Sequence, residues 1–322
     1  MLTSQRAELT NTQDTSIQNS LAPRIESVLV AGSSADLQMT IAVNSIIAGY
    51  SKAFGIDVSR YFANVKTVGV YRCCSSGLCF YAPFTVSGDS GFYEQLQKFP
   101  WYYVPWKWEH EIALKYLSNG QQILEIGCAK GSFLEKAMSV VTSCVGLELN
   151  SEAQKEATKN ALEVHCETIQ EHSLRNANRY DLLCSFQLME HISDLNAVLQ
   201  ASIDSVKNGG RLIISVPNNS SFLKHAESVL NMPPHHMCLW DESSLTKLQD
   251  FFSLKLEALH FEPLQDYHYS LVLESGINRL VRLPLARRIM KRLARQIRAQ
   301  RAVHFVRNRI RGFTILAVYK KI

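Results

Sequence analysis

Residues 124–134 read LEIGCAKGSFL, and this stretch decides the fold prediction. An apolar run contains an acidic residue near its end, a turn with two glycines follows, and a helical pattern begins after the turn. Gly127 and Gly131 let the backbone turn tightly and approach a ligand closely, and the N-terminus of the next helix favours polar or negative groups. Alone, a G-x-x-x-G turn is a weak signal, because it also begins dinucleotide-binding units.

A second acidic residue indicates which kind of ligand the turn binds. Glu148 lies near the end of the apolar run TSCVGLEL, residues 142–149, and follows Glu125 by 23 residues. A carboxylate at the end of the second strand can accept hydrogen bonds from both hydroxyls of a ribose. The turn and the carboxylate together predict an adenosine-type ligand.

Outward from this turn, β-branched or apolar runs alternate with amphipathic helical patterns, which is typical of βα units around a mainly parallel sheet. The predicted strands are residues 121–128, 142–149, 163–167, 181–187, 211–217, 254–261 and 314–321. The predicted helices begin near Gly131, cover residues 151–162, and run from about Asp194 to Val206. Gly209 and Gly210 suit the C-cap of the last helix and the turn into the next strand.

Four motifs in this order resemble those of class I S-adenosylmethionine (SAM)-dependent methyltransferases: ILEIGCAKGSFL, VGLELN, YDLLCSFQLMEHI and NGGRLIISVPN. They cover about residues 121–218. The resemblance implies an α/β fold with a Rossmann-like, seven-stranded mixed sheet and SAM as the cofactor. Ala129 departs from the pattern, because many relatives have glycine there. The turn must therefore tolerate a β-carbon, and we expect binding to be retained.

The resemblance also implies a set of cofactor-binding residues. They are Glu125, Gly127, Cys128 and Gly131 around the methionine part of SAM, Glu148 at the ribose with its neighbour Leu149, Ile169 and Gln170 at the adenine, and Gln187 beside the sulfonium.

The acceptor side of the site requires a proton-accepting group if the acceptor is a hydroxyl, because methyl transfer from a sulfonium is an in-line displacement. The predicted catalytic residues are Glu190 and His191 in LMEHI, and His235 and His236 in NMPPHHMCLW. We favour one of the two loop histidines as the general base, without distinguishing between them. Ordinary capping roles for Glu190 and His191, and structural roles for the loop histidines, are the alternatives.

The N-terminal region differs in character from the rest. Residues 1–20 are polar and lack the apolar core of a signal peptide, which predicts a disordered tail on a cytoplasmic protein. Residues 21–110 are predicted to form a cap, and residues 111–322 the methyltransferase domain. The aromatic run at 99–110, FPWYYVPWKWEH, either stacks on a flat acceptor or forms the seam between cap and core.

This region and the PPHH loop extend the resemblance to a subgroup of bacterial SAM-dependent methyltransferases with an aromatic N-terminal region. Saccharides or related metabolites are the suspected acceptors there. Relatives can carry a Cys-x-x-Cys zinc knuckle, but here Ser76 replaces the second cysteine after Cys73. No metal site is therefore predicted, and the scattered cysteines fit a reduced compartment.

Charge is distributed unevenly along the chain. The net charge is +5, yet residues 279–322 carry eleven Arg, three Lys and no acidic residue, so that segment has +14 and the remainder −9. Residues 279–311 are predicted to form a basic helical insertion between the last two strands. Its predicted anion-facing residues are Arg287, Arg288, Lys291, Arg292, Arg295 and Arg298. A phosphate-bearing substrate, an anionic membrane surface and nucleic acid are the candidate partners.

Composition limits the function classes further. The chain is 46% hydrophobic and 20% charged, with no apolar run near the roughly 20 residues that span a bilayer. We predict a cytoplasmic enzyme, with peripheral membrane attachment as an open option.

The leading functional hypothesis is a methyltransferase acting on a small-molecule or saccharide acceptor, most simply at oxygen. A nucleic-acid methyltransferase is the second hypothesis, although Gln187, Leu188 and Met189 stand where base-amino methyltransferases usually carry Asn-Pro-Pro-Tyr or Asp-Pro-Pro-Tyr. A non-catalytic SAM-binding interaction protein is the third. The acceptor and the oligomeric state stay open.

Overall fold

The computed structural model describes residues 23–102, 104–225, 228–281, 283–296 and 310–322. The predicted tail at 1–20 and the predicted anion-facing Arg298 lie outside these ranges.

The N-terminal region begins with a small antiparallel sheet and its helices. In chain order its elements are β1 (Arg24–Glu26), β2 (Ser34–Ala42), α1 (Val43–Phe54), β3 (Thr67–Cys73), β4 (Cys79–Ala82), α2 (Ser90–Gln97) and α3 (Trp108–Leu114). β2 pairs with β1 and β3, and β3 pairs with β4. The N-terminus of α2 is capped by the Asp89 side chain, which accepts a hydrogen bond from the Phe92 amide.

The second part of the chain alternates strands and helices. Its elements are β5 (Gln122–Ile126), α4 (Ser132–Ala137), β6 (Ser143–Leu147), α5 (Ser151–Lys159), β7 (Glu163–His165), α6 (Ile169–Ser173), β8 (Tyr180–Phe186), α7 (Leu195–Ser205), β9 (Val206–Pro217), β10 (Cys238–Leu239), α8 (Glu242–Thr246), β11 (Leu254–Pro263), α9 (Tyr269–Leu280), α10 (Pro284–Gln296) and β12 (Arg311–Lys321).

Seven of these strands form one mixed sheet in the order β11-β12-β9-β8-β5-β6-β7. The strands from β7 to β9 are parallel, whereas β12 runs antiparallel to both β9 and β11. The predicted α/β fold with a Rossmann-like, seven-stranded mixed sheet is therefore confirmed. The carboxyl ends of β5, β6, β7 and β8 share one edge, which is where ligands bind in open α/β sheets.

The apolar strands are continuous because both faces of the sheet are covered. On β5, Ile123 and Leu124 point into different buried clusters, and on β9 Ile213 and Ile214 do the same. Side chains alternate between the two faces of a strand, so strands with helices on both faces need apolar residues at successive positions. This requirement explains the unbroken runs from which the strands were predicted.

The N-terminal sheet extends into the loop that follows β9. Its order is β1-β2-β3-β4-β10, and β10 lies directly after the two loop histidines. Phe99 and Tyr102 of the aromatic run pack against the larger buried cluster, and Trp108 packs against the smaller one. The aromatic segment thus forms a seam between the N-terminal elements and the main sheet.

Two predicted boundaries were wrong. Gly209 and Gly210 do not cap α7, because β9 begins at Val206 and includes both glycines. A β-carbon on Gly210 would lie 2.9 Å from the Asp181 carbonyl oxygen of β8, so close strand packing, and not helix capping, requires this glycine. Among the described residues, the helical part between the last two strands begins earlier than residue 279, because α9 covers Tyr269–Leu280, and Pro284, which lacks an amide hydrogen, then starts α10.

Candidate active site

The turn after β5 has three residues in the left-handed region. Gly127, Ala129 and Gly131 have φ values of 70°, 47° and 80°. A β-carbon on Gly131 would lie 2.3 Å from Leu162 Cδ1, so this glycine is required both by its conformation and by its close approach to a neighbour. Ala129 adopts this unfavourable conformation with its β-carbon in place, so the turn accommodates a β-carbon at this position.

Glu148 holds this turn from the neighbouring strand. Its Oε2 accepts a hydrogen bond from the Ala129 amide at 2.9 Å, and its Oε1 accepts one from the Asn150 amide at 2.7 Å. The carboxylate follows the end of β6, and the Gly127 and Cys128 amides both donate to the Leu147 carbonyl. The turn and the acidic residue that were predicted separately are therefore joined in one hydrogen-bonded unit.

Three buried carboxyl groups lie next to this unit. Burial raises the pKa of Glu109, and burial raises the pKa of Glu125 and of Glu190 to about 8 in each case. The charge of Glu148 adds to the effect at Glu125, and Lys107 opposes it at all three groups. Oε2 of Glu125 and Oε2 of Glu190 are buried without a hydrogen-bond partner. Such a group of buried carboxyls fits a cationic ligand, and SAM carries a sulfonium and an ammonium group.

Because Glu125 has a pKa of about 8, its carboxyl is mainly protonated at pH 7 in the free protein. A fixed positive charge beside it lowers that pKa, so binding of SAM at pH 7 should release up to about one proton. Calorimetry in buffers of different ionisation enthalpy measures this release. At pH 9 the carboxyl is already ionised and the release should fall. The Glu125→Gln variant should lose it, and an unchanged release in that variant would contradict the assignment.

The remaining predicted cofactor residues lie along the same sheet edge. Ile169 is buried at the start of α6, next to the half-buried Gln170. Gln187 follows β8 with a left-handed φ of 52°, and its Nε2 is buried without a hydrogen-bond partner among the described residues. Cys128 is buried under the turn, whereas Leu149 is exposed.

The four predicted catalytic residues come together. The ring centroids of His191 and His235 are 4.6 Å apart, those of His191 and His236 are 5.0 Å apart, and His235 stacks on His236 at 4.4 Å. Glu190 Oε1 lies 3.9 Å from His191 Nε2. Burial lowers the pKa of His191 to about 4 and lowers the pKa values of the two loop histidines well below their usual range. The three imidazoles are therefore neutral at pH 7.

The N-terminal region fixes the loop that carries His235 and His236, through α1 and β4. Tyr50 and Tyr81 donate from their hydroxyls to the carbonyls of Met232 and Asn231, at 3.0 and 2.9 Å. The Tyr81 amide donates to the Met237 carbonyl at 2.8 Å. Anchors on both sides of the histidine pair hold the loop against the end of the sheet.

Three residues of this site were not among the predicted catalytic and cofactor-binding residues, although Tyr102 belongs to the aromatic run considered for acceptor stacking. Glu109 belongs to the aromatic run, where an acidic residue between tryptophan and histidine was the available signal. Tyr102 donates its hydroxyl hydrogen to His235 Nε2 at 3.1 Å, and the Tyr93 hydroxyl lies 3.3 Å from His191 Nδ1. Both tyrosines come from the N-terminal region, so only the packing of that region on the loop brings them to the histidines.

The chain is similar to known methyltransferases. A model for a methyltransferase domain matches residues 101–258. A ubiquinone biosynthesis O-methyltransferase of Aliivibrio fischeri is 28% identical over 184 residues, which cover 52% of this chain and 78% of that protein. One from Cronobacter sakazakii is 30% identical over 126 residues, covering 36% and 52%. A solved SAM-dependent methyltransferase from Archaeoglobus fulgidus overlaps 66% of this chain and 91% of its own, with a TM-score of 0.46 and 16% identity.

The matched domain begins within the aromatic run and ends in β11, so it includes the turn, all three buried carboxyls and the histidine cluster. The non-catalytic alternative is therefore set aside. With its confirmed sheet order and its matched methyltransferase domain, the chain is a SAM-dependent methyltransferase.

Proposed function

We propose that this enzyme transfers the methyl group of SAM to a hydroxyl oxygen of a small-molecule or saccharide acceptor. The observation that supports this most is the convergence of Glu190 and His191, which follow β8, with His235 and His236 at the carboxyl end of the sheet. Neutral, buried imidazoles beside a buried carboxyl can take the proton that a hydroxyl must lose.

In the proposed site, the predicted cofactor residues hold SAM, which supplies an electrophilic methyl group when it is bound. Glu148 accepts hydrogen bonds from the ribose and keeps the turn closed. Glu125 and Glu109 provide negative charge around the cationic part of the ligand. His235 or His236, both buried, accepts the proton of the acceptor.

Oxygen as the methylated atom is supported by the relatives, which are named for O-methylation. We further propose that residues 21–110 serve as a cap over the acceptor. This region supplies Tyr93 and Tyr102 to the histidine cluster and anchors the loop through Tyr50 and Tyr81.

An acceptor panel tests the proposal. Purified enzyme and SAM are incubated with phenols, vicinal diols, free sugars and nucleotide sugars, and formation of S-adenosylhomocysteine is followed. We expect at least one hydroxyl acceptor to raise turnover above the acceptor-free rate. A His235→Ala/His236→Ala variant that still binds SAM should lower that turnover by roughly 100-fold or more, the usual size of a general-base contribution. Methylation only of nucleic acid would contradict the proposal.

We propose an anionic membrane surface as the partner of α10. In this helix Ile289, Met290 and Leu293 are exposed together with Arg288 and Arg292. Clustered arginines suit phosphates of any source, but exposed apolar side chains beside them favour a lipid headgroup layer over nucleic acid or a soluble phosphate. Within the described residues, no helix is long and apolar enough to cross a membrane.

Vesicle flotation measures this interaction. Anionic vesicles should bind the enzyme at low salt and neutral vesicles should not. Arg288→Gln/Arg292→Gln should weaken binding by roughly 30-fold, at about 1 kcal/mol for each charge. Ile289→Ser/Leu293→Ser should also weaken it. If the second pair of substitutions leaves binding unchanged, or if nucleic acid binds more tightly than vesicles at equal salt, α10 is not a membrane-binding helix.

A further inference from the structure

The three histidines at the acceptor side have the arrangement of a metal site. His191, His235 and His236 each offer a ligand atom, and these atoms lie within 4.8 Å of one another. His191 follows β8 and the other two belong to the loop before β10, so two separate parts of the chain deliver imidazoles to one point. Three imidazoles with an open fourth position form a common ligand set of catalytic zinc.

Hydrogen bonds fix the protonation of two of the rings. His191 Nδ1 lies 2.6 Å from the His235 carbonyl oxygen, and His235 Nδ1 lies 2.9 Å from the Leu230 carbonyl oxygen. A carbonyl oxygen only accepts, so each Nδ1 carries the proton. In a neutral imidazole the lone pair is then on Nε2. Histidines that bind metals usually donate their other ring N–H to an oxygen in this way.

The side-chain amides of Asn219 and Asn231 determine which nitrogen of the third ring, His236, carries the proton. The Asn219 amide nitrogen donates to the Trp240 carbonyl at 3.1 Å, which leaves Asn219 Oδ1 to accept from the Asn231 amide nitrogen at 2.7 Å. Asn231 Oδ1 therefore faces His236 Nδ1, 3.1 Å away, and accepts a hydrogen bond from its N–H. All three rings consequently present an unprotonated Nε2.

The surroundings suit a divalent cation. His235 and His236 are 7% and 6% exposed, which limits competition by water. Glu190 places Oε1 3.9 Å from His191 Nε2, and its Oε2 is buried without a hydrogen-bond partner. A buried carboxyl without a partner is costly, and an ion beside it would relieve that cost. The Tyr102 hydroxyl, now bonded to His235 Nε2, would give up this bond to the ion.

We propose that His191, His235 and His236 bind one divalent transition-metal ion of the zinc class through their Nε2 atoms, with Glu190 as a neighbouring carboxylate. Metal–nitrogen bonds of about 2.0 Å place tetrahedral ligands roughly 3.3 Å apart. Ligand atoms that lie within 4.8 Å of one another would therefore approach by up to roughly 1.5 Å around the ion. Imidazole ligands select zinc, copper, iron or nickel over magnesium or calcium.

The role of the ion rests on the proposed function. A hydroxyl bound at the open position loses its proton more readily. That proton would pass to water, the oxygen would form its bond to the methyl carbon, and the carbon–sulfur bond would break to leave a neutral thioether. The ion would then replace a single imidazole as the group that activates the acceptor.

Metal binding is measured directly, without an acceptor. Untagged enzyme is stripped with a chelator and titrated with Zn²⁺ against a chromophoric competitor, and with Co²⁺ by visible absorption. We expect one equivalent of each ion, and a tetrahedral cobalt spectrum. X-ray absorption of the zinc-loaded wild-type enzyme should show three imidazole ligands, and this readout requires no variant.

The zinc affinities of single variants distinguish the residues that bind the ion from the residues that only orient those ligands. His236→Ala should weaken zinc binding by at least about 100-fold, and Asn231→Ala by roughly 10-fold, the lower end of the usual effect of an orienting residue. Tyr102→Phe should retain or tighten it, because a competing hydrogen bond is removed. His260→Ala, in a half-buried histidine bonded to Tyr116 at 2.7 Å, is the matched control and should leave it unchanged.

The proposal is overturned if the wild-type enzyme binds no ion stoichiometrically, if its zinc shows fewer than three imidazole ligands, or if the His235→Ala/His236→Ala variant keeps wild-type affinity. SAM binding is measured on the same stripped samples. Loss of SAM binding with intact zinc binding would refute the proposed function alone, and the reverse result would refute the metal site alone.

Discussion

Replacing Glu148 by alanine is expected to weaken SAM binding by at least about 100-fold. The carboxylate is the acceptor proposed for both ribose hydroxyls, and hydrogen bonds to a charged group contribute about 1.5–3 kcal/mol each. The substitution also removes the acceptor of the Ala129 and Asn150 amides, so the turn loses support. Isothermal calorimetry with SAM and S-adenosylhomocysteine measures the change.

Two further variants make this result specific. Glu148→Gln keeps one carbonyl acceptor and should lie between wild type and Glu148→Ala. Glu152→Ala removes an exposed carboxylate that pairs with Lys155 on α5 and should leave SAM affinity unchanged. Equal losses in Glu148→Ala and Glu152→Ala would show that general charge, and not the ribose contact, controls affinity.

The Gly131→Ala substitution is expected to lower the free energy of unfolding by about 3 kcal/mol. A left-handed conformation costs a residue with a β-carbon about 1–2 kcal/mol, and overpacking adds about 1–3 kcal/mol. The added β-carbon would lie 2.3 Å from Leu162 Cδ1, and Leu162 is itself buried. Urea denaturation measures the loss, and SAM affinity should fall with it because the turn must shift.

The matched control is Gly120→Ala. Gly120 has a φ of 90°, and a β-carbon there would meet no atom within 4 Å. Its cost should therefore be the conformational part alone, about 1–2 kcal/mol. Leu162→Ala should cost less in the Gly131→Ala background than in wild type, since the two residues contact each other. A steric requirement at the turn would be contradicted if Gly131→Ala and Gly120→Ala lowered the free energy of unfolding equally. It would also be contradicted if the effects of Gly131→Ala and Leu162→Ala were fully additive.

The strands of the main sheet were predictable because each one is marked by a local run of apolar residues in the sequence. Runs such as DLLCSFQ at 181–187 are apolar at successive positions, and this follows from helices on both faces. The acidic residue at 148 was also recognisable, because its spacing from the glycine turn reflects one βα unit. The strand start at Val206 was missed, since Asn208, Gly209 and Gly210 have the composition of a helix end and only close packing against β8 shows otherwise.

The assembly of the acceptor side was only partly predictable. His191 and the loop histidines were selected by residue type and by their position after strands, but their mutual contact depends on how β10 pairs with β4. The cluster as a metal site depends on the direction of each Nδ1–H, which two carbonyls and the Asn219–Asn231 amide pair determine. No spacing along the chain encodes those contacts.

A crystal structure of the enzyme with S-adenosylhomocysteine tests the central claim most directly. We expect the ribose hydroxyls to lie within hydrogen-bond distance of both Glu148 oxygens, and the adenine between Ile169 and Gln170. The amino acid part of the ligand should lie against the turn at Gly127 and Gly131, and the sulfur should face Gln187. Ligand bound elsewhere, or a ribose that does not contact Glu148, would contradict the proposed cofactor site.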